Sequence, residues 1–539
     1  MKVDALLNRA TVLEPGDGFR RDRAIAIAEG RISAVVAQAD AQALTSPATR
    51  VFDLAGRAVA PGFHDAHMHV LPFGVWASQA DLSAEAGVTS PEGLATALRA
   101  WVDRHPASPW ALGNRYDQNV FPGGRHPSRH DLDRAAPTRP AFALQTSAHA
   151  GCANTAALRL AGVTRNTPDP EGGHIVRDEA GEPTGVLLES ATALVTRHIP
   201  RPTRAEMAAA LGYAHEVLLR RGVTSACDML TGWYDIEDEL SAYRDAAASR
   251  PGVRVTLCPG AARFGGPGAL PDRADFARAA GLAAGDAPVR LGALKLFADG
   301  ALTARTAALR MPYADGSGSG MLLLERDELA DWVRAAHRGG WGVAVHAIGD
   351  RAIEAVLDAI EAAPQPPHEA RDRIEHAMVM DGDLVSRVRA LGVTLVMQPE
   401  FISLLGDGYL VALGSERAER LAPVADLLQA GIEVAFSSDC PVVPGDPLDG
   451  VRAALRRTTI SGRTLGPSQR VGLTAALHAY THAGARAVGD EAHTGRVARG
   501  MRADLVVLDG DLGDSGASDL RVAATMLGGE WVWGEEALA

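Results

Sequence analysis

The chain is 539 residues long, 47% hydrophobic and only 5% aromatic, with a formal net charge of −13. That length and apolar content can bury a large core, so several domains, or one large barrel with additions, are expected. The acidic balance argues against nucleic acid or an anionic membrane surface as a partner.

From the N-terminus, short apolar runs at 24–27 and 32–36 flank Glu29-Gly30-Arg31 and predict a β-hairpin. Pro61-Gly62-Phe63-His64-Asp65-Ala66-His67-Met68-His69 follows. A long irregular stretch, about 72–200, reads as an insertion with a hairpin pattern at 174–177 and 185–188. Residues 141–144 within it are expected to lend one strand to the main sheet.

Four times thereafter a helical pattern runs into glycine, then into an apolar strand with a polar tip. The first unit has a capping box, Thr203 to Glu206, with Met207, Leu211 and Leu218 at helical spacing. It stops at Gly222 and becomes a strand ending at Asp228. The second runs past Leu329, Trp332 and Val333 to Gly339-Gly340 and a strand ending at His346. The third runs past Leu384, Val388 and Leu391 to Gly392 and a strand ending at Gln398. The fourth runs past Leu427-Leu428 to Gly431 and a strand ending at Asp439. Glycine suits the left-handed residue that closes such helices. Apolar strands alternating with helices predict an α/β fold with a helix-covered parallel sheet. Polar tips suit a barrel or an open doubly wound sheet. No GxGxxG or GxxxxGK[ST] motif follows a strand, which counts against nucleotide binding. Runs at 505–508 and 530–533 are again β-like. Neither terminus can build a closed sheet alone, so the two are expected to pair into one small β-domain.

In a strand, residues i and i+2 share a face, so His67 and His69 can hold one metal ion. Alone they read equally well as two polar histidines at a strand end. His346, His376 and Asp439 alter that balance, because all three stand at strand tips. Singly, His346 or His376 reads best as a satisfied core histidine; together they form a ligand shell. Lys295 sits in an apolar strand, where an ammonium is costly unless paired or neutralised. A neutral amine can add carbon dioxide and become an anionic oxygen ligand. The alternative is an edge lysine that reaches solvent or pairs with Asp299.

This set resembles the amidohydrolase superfamily and, within it, the YtcJ-like branch that includes N-substituted formamide deformylases. The resemblance spans nearly the whole chain. Beyond residues 61–69 it rests on Lys295-Leu296-Phe297-Ala298-Asp299-Gly300 with Arg305-Thr306-Ala307, on Val345-His346-Ala347-Ile348-Gly349-Asp350, on Arg373-Ile374-Glu375-His376, on Ser438-Asp439-Cys440-Pro441, on Tyr480-Thr481-His482-Ala483-Gly484 and on residues 500–508. It implies a (β/α)8 TIM barrel with a small β-sandwich built from both termini. The corresponding divisions are 1–58 and 488–539 for the sandwich and 59–487 for the barrel, with the insertion at about 72–200. By the same resemblance His67, His69 and Asp439 hold one metal, His346 and His376 a second, and carboxylated Lys295 bridges them. Zinc is the default ion, and Asp439 is the acid–base residue. His149, in Ser147-Ala148-His149-Ala150, matches a histidine near the substrate. Asp299 and Gln398 are candidates to line the pocket, with a helix-cap or hydrogen-bonding role as the alternative.

The implied reaction is hydrolysis of a non-peptide linear amide, such as an N-substituted formamide or N-acyl compound. Two rivals are a mononuclear aminohydrolase that deaminates a ring, and a non-catalytic scaffold of the same fold. His64 is left outside the shell. His105, His126, His130, His215, His337, His368, His478, His482 and His493 are expected in loops or helices, most of them at the surface. The four cysteines, Cys152, Cys227, Cys258 and Cys440, are scattered without a CxxC pair, which fits a reducing compartment. The N-terminus lacks a secretory layout and no apolar run spans a bilayer. A cytoplasmic enzyme acting on a small molecule, without nucleic acid or membrane, is therefore expected, with homo-oligomerisation left open.

Overall fold

Each helix–glycine–strand unit folds as its pattern demands. In the computed structural model, which describes residues 3–14, 18–249, 251–282, 285–367, 370–513 and 516–538, Thr203 and Glu206 form the reciprocal capping box of the helix Arg204–Arg220. Gly222, Gly340, Gly392 and Gly431 all adopt positive φ between a helix and its strand. A side chain there would meet the Cβ clash that disfavours the left-handed region.

The strands so delivered are parallel and buried. Phe63–Met68, Val223–Thr231, Arg254–Pro259 and Val289–Leu291 form one four-stranded parallel sheet. Leu294–Phe297, Val343–Ala347, Arg373–His376, Thr394–Met397 and Val434–Phe436 form a five-stranded one. Among the described residues no continuous ladder joins the two sheets into a ring. They meet at an isolated bridge between Gly260 and Lys295. On the other side the amide of Asp439 donates to the His67 carbonyl at 2.7 Å, and that of His69 to Cys440 at 2.8 Å. Helices pack outside the strands, and one large apolar core runs through both sheets and these helices.

Strands from both ends of the chain share an eight-stranded sheet. The hairpin at Glu29-Gly30-Arg31 joins Gly18–Ala28 to Arg31–Ala37. Leu505–Asp509 pairs antiparallel with Ala58–Pro61, so the C-terminal strands hold the residues just before His67. Arg521–Leu527, not singled out from the sequence, lies between the two predicted C-terminal strands.

The stretch 72–200 is more ordered than its composition suggests. It carries a six-stranded sheet that includes the expected hairpin of Gly173–Arg177 with Pro183–Glu189. The expectation that residues 141–144 join the main sheet is corrected. Ala141–Gln145 pairs with Ala111–Tyr116 and Ala150–Ala153 inside the insertion. The reason is two-sided burial: Ala141 and Ala143 face one local core with Leu94, Leu98 and Leu132, and Phe142 faces another with Ile175 and Leu187.

Among the described residues, no helix is long and apolar enough to cross a membrane.

Candidate metal centre

The C-terminal ends of the parallel strands bring together most of the residues read from the sequence. His67 lies on its strand, and His69 directly precedes the helix Val70–Trp76. Their Nε2 atoms face one oxygen, Oδ1 of Asp439, at 3.3 and 3.1 Å. That buried oxygen makes no hydrogen bond of acceptable geometry. Two imidazole nitrogens and a carboxylate thus converge on a point without pairing, as donors around a cation do. Donor atoms of His67, His376 and Asp439 all lie within 4.8 Å of one another. Neutral imidazole plus carboxylate suits zinc and other first-row ions.

The backbone helps aim these groups. Asp439 and His376 sit at φ 58° and 74°, left-handed conformations rare for residues with a side chain. Such conformations cost about 1–3 kcal/mol each and persist where surrounding contacts enforce them. For Asp439 the amide bond to His67 is one such contact.

The outward nitrogens are fixed by a second layer. His67 Nδ1 lies 2.7 Å from Glu375 Oε2, and His376 Nδ1 lies 2.8 Å from Gln398 Oε1. Each contact calls for a proton on Nδ1 and leaves Nε2 free as a ligand. Gln398 itself donates to Ser437 Oγ at 2.9 Å. It lies behind His376 and is absent from the cavity wall. Glu375 is gripped by Arg373, whose Nε and Nη2 reach its two oxygens at 2.8 and 3.0 Å. Burial opposes its ionisation, but Arg373 and His67 outweigh burial and hold its carboxyl well below the usual range. Burial likewise opposes ionisation of Asp439, and the facing imidazoles overcome it. Glu375 and Arg373 escaped the sequence reading as functional residues. Their i, i+2 spacing beside His376 was the available signal.

Lys295 is 1% exposed and stands 4.6 Å from the centroid of the Phe297 ring. Burial lowers its pKa to about 8, against the pull of the Glu375 and Asp439 carboxylates. His346 is close by, its ring 4.5 Å from that of His376, but its Nε2 is 3.0 Å from the Gly300 carbonyl. His346 therefore stands outside the tight donor set.

Asp299 does not face the cavity. Its buried carboxylate accepts from the amides of Ala308, Ile348 and Gly349 at 2.8, 3.0 and 2.9 Å. It is a strut tying its own loop to the loop that follows His346. His149 does face the cavity, with Nδ1 2.7 Å from Glu189 Oε2 and its ring 4.9 Å from that of His346.

These residues open into a cavity of about 630 Å³. Its wall includes six aromatic side chains, Trp76, Trp233, Phe297, Trp332, Phe401 and Tyr409, and the acids Glu171, Glu189 and Glu328.

The histidines expected mostly at the surface depart from that placement. Of that group only His105 and His130 are exposed, and His368 lies outside the described residues. His215 and His337 are buried; the latter bridges the Pro364 carbonyl and Asp372 at 2.7 and 3.0 Å. His64 is buried with neither ring nitrogen hydrogen-bonded, and burial with Arg290, Arg373 and Arg502 pushes its pKa down to about 3.

Comparison with known proteins shows the family. The Amidohydrolase family pattern matches residues 50–533. The putative amidohydrolase YtcJ of Bacillus subtilis is 34% identical over 508 residues, covering 93% of each chain. N-substituted formamide deformylase of Arthrobacter pascens is 30% identical over 515 residues, 93% of this chain and 92% of that one. The crystal structure of an uncharacterized metal-dependent hydrolase from Pyrococcus furiosus superposes with a TM-score of 0.71 at 29% identity, covering 94% of this chain and 99% of that one.

Proposed function

The chain belongs to the amidohydrolase family of metal-dependent hydrolases, and from that premise we propose that it hydrolyses a linear, non-peptide amide at a two-metal centre. The observation that carries this reading is the convergence of His67, His69 and Asp439 on one point, with His376, Lys295 and His346 around the same cavity. His67, His69 and Asp439 are assigned to one ion, His346 and His376 to the other, and Lys295, as its carbamate, to both. Divalent ions held there would supply Lewis acidity, of the kind that brings the pKa of water from about 15.7 to about 7 and polarises a carbonyl.

The protein's own groups do the rest. Lys295, with its pKa lowered to about 8, keeps a neutral fraction near pH 7. Its nitrogen adds to carbon dioxide and loses a proton, giving the anionic oxygen ligand. Asp439 takes the proton of the attacking water and delivers it to the leaving nitrogen. Glu375 and Gln398 hold two ligand imidazoles in one tautomer. His149, backed by Glu189 and beside His346, orients the substrate. The aromatic wall receives the apolar N-substituent of an N-formyl or N-acyl compound. Similarity to N-substituted formamide deformylase supports that substrate class.

The same proposal covers the architecture. Counting the two segments at 289–291 and 294–297 as one strand interrupted at Gly292-Ala293, the parallel strands number eight, as a (β/α)8 barrel requires. The domains follow as 59–487 for the barrel, with 1–58 and 488–539 as a β-sandwich. Zinc is the proposed ion and the cytoplasm the proposed location.

One observation favours a second reading. The tightest donor set is His67, His376 and Asp439, while His346 is turned to a backbone carbonyl. One compact donor set would hold one ion, as a mononuclear aminohydrolase needs. Metal analysis with intact mass separates the two: two ions and a mass gain of one carbon dioxide on Lys295 are expected. One ion with an unmodified Lys295 would overturn the two-metal reading. A panel of N-formyl, N-acyl and cyclic amides then tests the substrate class. No turnover on any of them at full metal occupancy would defeat it.

A further inference from the structure

One histidine in the Tyr480-Thr481-His482 motif has no part in the reaction above. His482 opens the helix His482–Ala487, and His478 lies in the last turn of the preceding helix, Leu473–Ala479. Their rings are 5.1 Å apart, the spacing of neighbours one helical turn apart. Glu433, directly before the strand Val434–Phe436, faces them. Donor atoms of Glu433, His478 and His482 all lie within 4.8 Å of one another.

These groups are close without satisfying each other. His478 Nε2 stands 3.6 Å from Glu433 Oε1, beyond hydrogen-bond range. His482 Nδ1 is buried and has no hydrogen-bond partner. All three residues are half-buried, so an ion can reach them. A cavity of about 350 Å³ beside Glu433 and His478 leaves room for water to complete a coordination shell. Two imidazoles and one carboxylate form a borderline-soft donor set, suited to zinc rather than calcium or magnesium.

We propose that Glu433, His478 and His482 form a separate zinc site, at the N-terminal end of the strand that leads to Asp439. Glu433 precedes and Asp439 follows the same strand, up to about 20 Å apart along extended chain. The ion is a clip: it ties the strand that presents Asp439 to the two helices beneath it. Zinc bonds of about 2.0–2.2 Å draw the three donors inward, a change within reach of half-exposed side chains. Arg486 opposes it, pairing with Glu433 Oε2 at 3.2 Å.

The test is a Zn²⁺ titration of the loaded enzyme against a chromophoric chelator. Zinc is added beyond the point at which turnover has reached its plateau, so the catalytic centre is already full. One further equivalent is expected in the wild type. His478→Gln and His482→Gln should lose it while keeping wild-type turnover, which also certifies their fold. Arg486→Gln should bind it at least severalfold tighter, because a competing cation is gone. The proposal is overturned if the wild type takes up no zinc beyond the plateau. It is equally overturned if both histidine variants retain the extra equivalent, or if Arg486→Gln leaves its affinity unchanged.

Discussion

The two parallel sheets carry buried aspartates near the ends of their strands, and their surroundings shift the two carboxyls in opposite directions. In the five-stranded sheet Asp439 is kept ionised because His67 and His69 face it. In the four-stranded sheet Asp228 is as deeply buried, but burial raises its pKa against the hydroxyl of Tyr243, which donates to it. The five-stranded sheet presents Lys295, His346, His376 and Asp439; the four-stranded one contributes His67 and, just beyond its strand, His69. A polar strand tip is thus only an opportunity. Whether it becomes a ligand depends on which groups the neighbouring tips aim at it.

Substitutions on the two sheets should therefore differ in kind. The largest effect is expected from Asp439→Asn, which should keep metal yet lose roughly 10³-fold in kcat, within the usual range for an acid–base residue. Near-wild-type turnover would remove the distinction. Glu375→Gln should weaken metal binding about 10–100-fold, as for other groups that orient a ligand histidine. It should also destabilise the fold by about 3–5 kcal/mol, because Arg373 is left buried against a neutral amide. Chelator competition and denaturant unfolding measure the two effects separately. Asp228→Asn should leave kcat within a few-fold of wild type, and a loss comparable to that of Asp439→Asn would show that both sheets supply catalytic acids.

The smallest effect is a pH slope from the same four-stranded region. Burial raises the pKa of Glu239 to about 7, helped by Asp228 and opposed by the amides of Tyr234, Gly232 and Asp235. A carboxyl with a raised folded pKa contributes stability below its unfolded pKa, near about 4.3, and that contribution is lost as pH rises toward 7. Unfolding curves across this window should show the stability of wild type falling relative to Glu239→Gln. A constant difference would mean that Glu239 titrates normally.

Much of the centre was legible because its residue types recur at one structural position, the C-terminal end of a parallel strand. What was not legible depends on orientation. For Asp299 and Gln398 the sequence leaves a place on the cavity wall and a hydrogen-bonding role equally open; three backbone amides claim the first and His376 the second. Nothing in local spacing shows that a loop will present three amides to one carboxylate. His346 is legible as a candidate ligand, but not its contact with the Gly300 carbonyl, which comes from a loop 46 residues earlier. The insertion was opaque for another reason. Its strands are short and sided toward two local cores, so their apolar pattern resembled a fragment of the main sheet.

The pairing of Ala58–Pro61 with Leu505–Asp509 gives the metal centre a history as well as a shape. The amide of Gly62 donates to the Asp504 carbonyl at 2.9 Å, and that of His64 to Tyr480 at 2.7 Å. The segment that carries His67 and His69 is thus anchored by residues made more than four hundred positions later. The neighbouring strand Val223–Thr231 supports the same segment from within the four-stranded sheet, and the C-terminal strand is the last of its partners to be made. A chain truncated before residue 505 would retain every ligand of the proposed centre while lacking the strand that pairs with the segment leading into the first two.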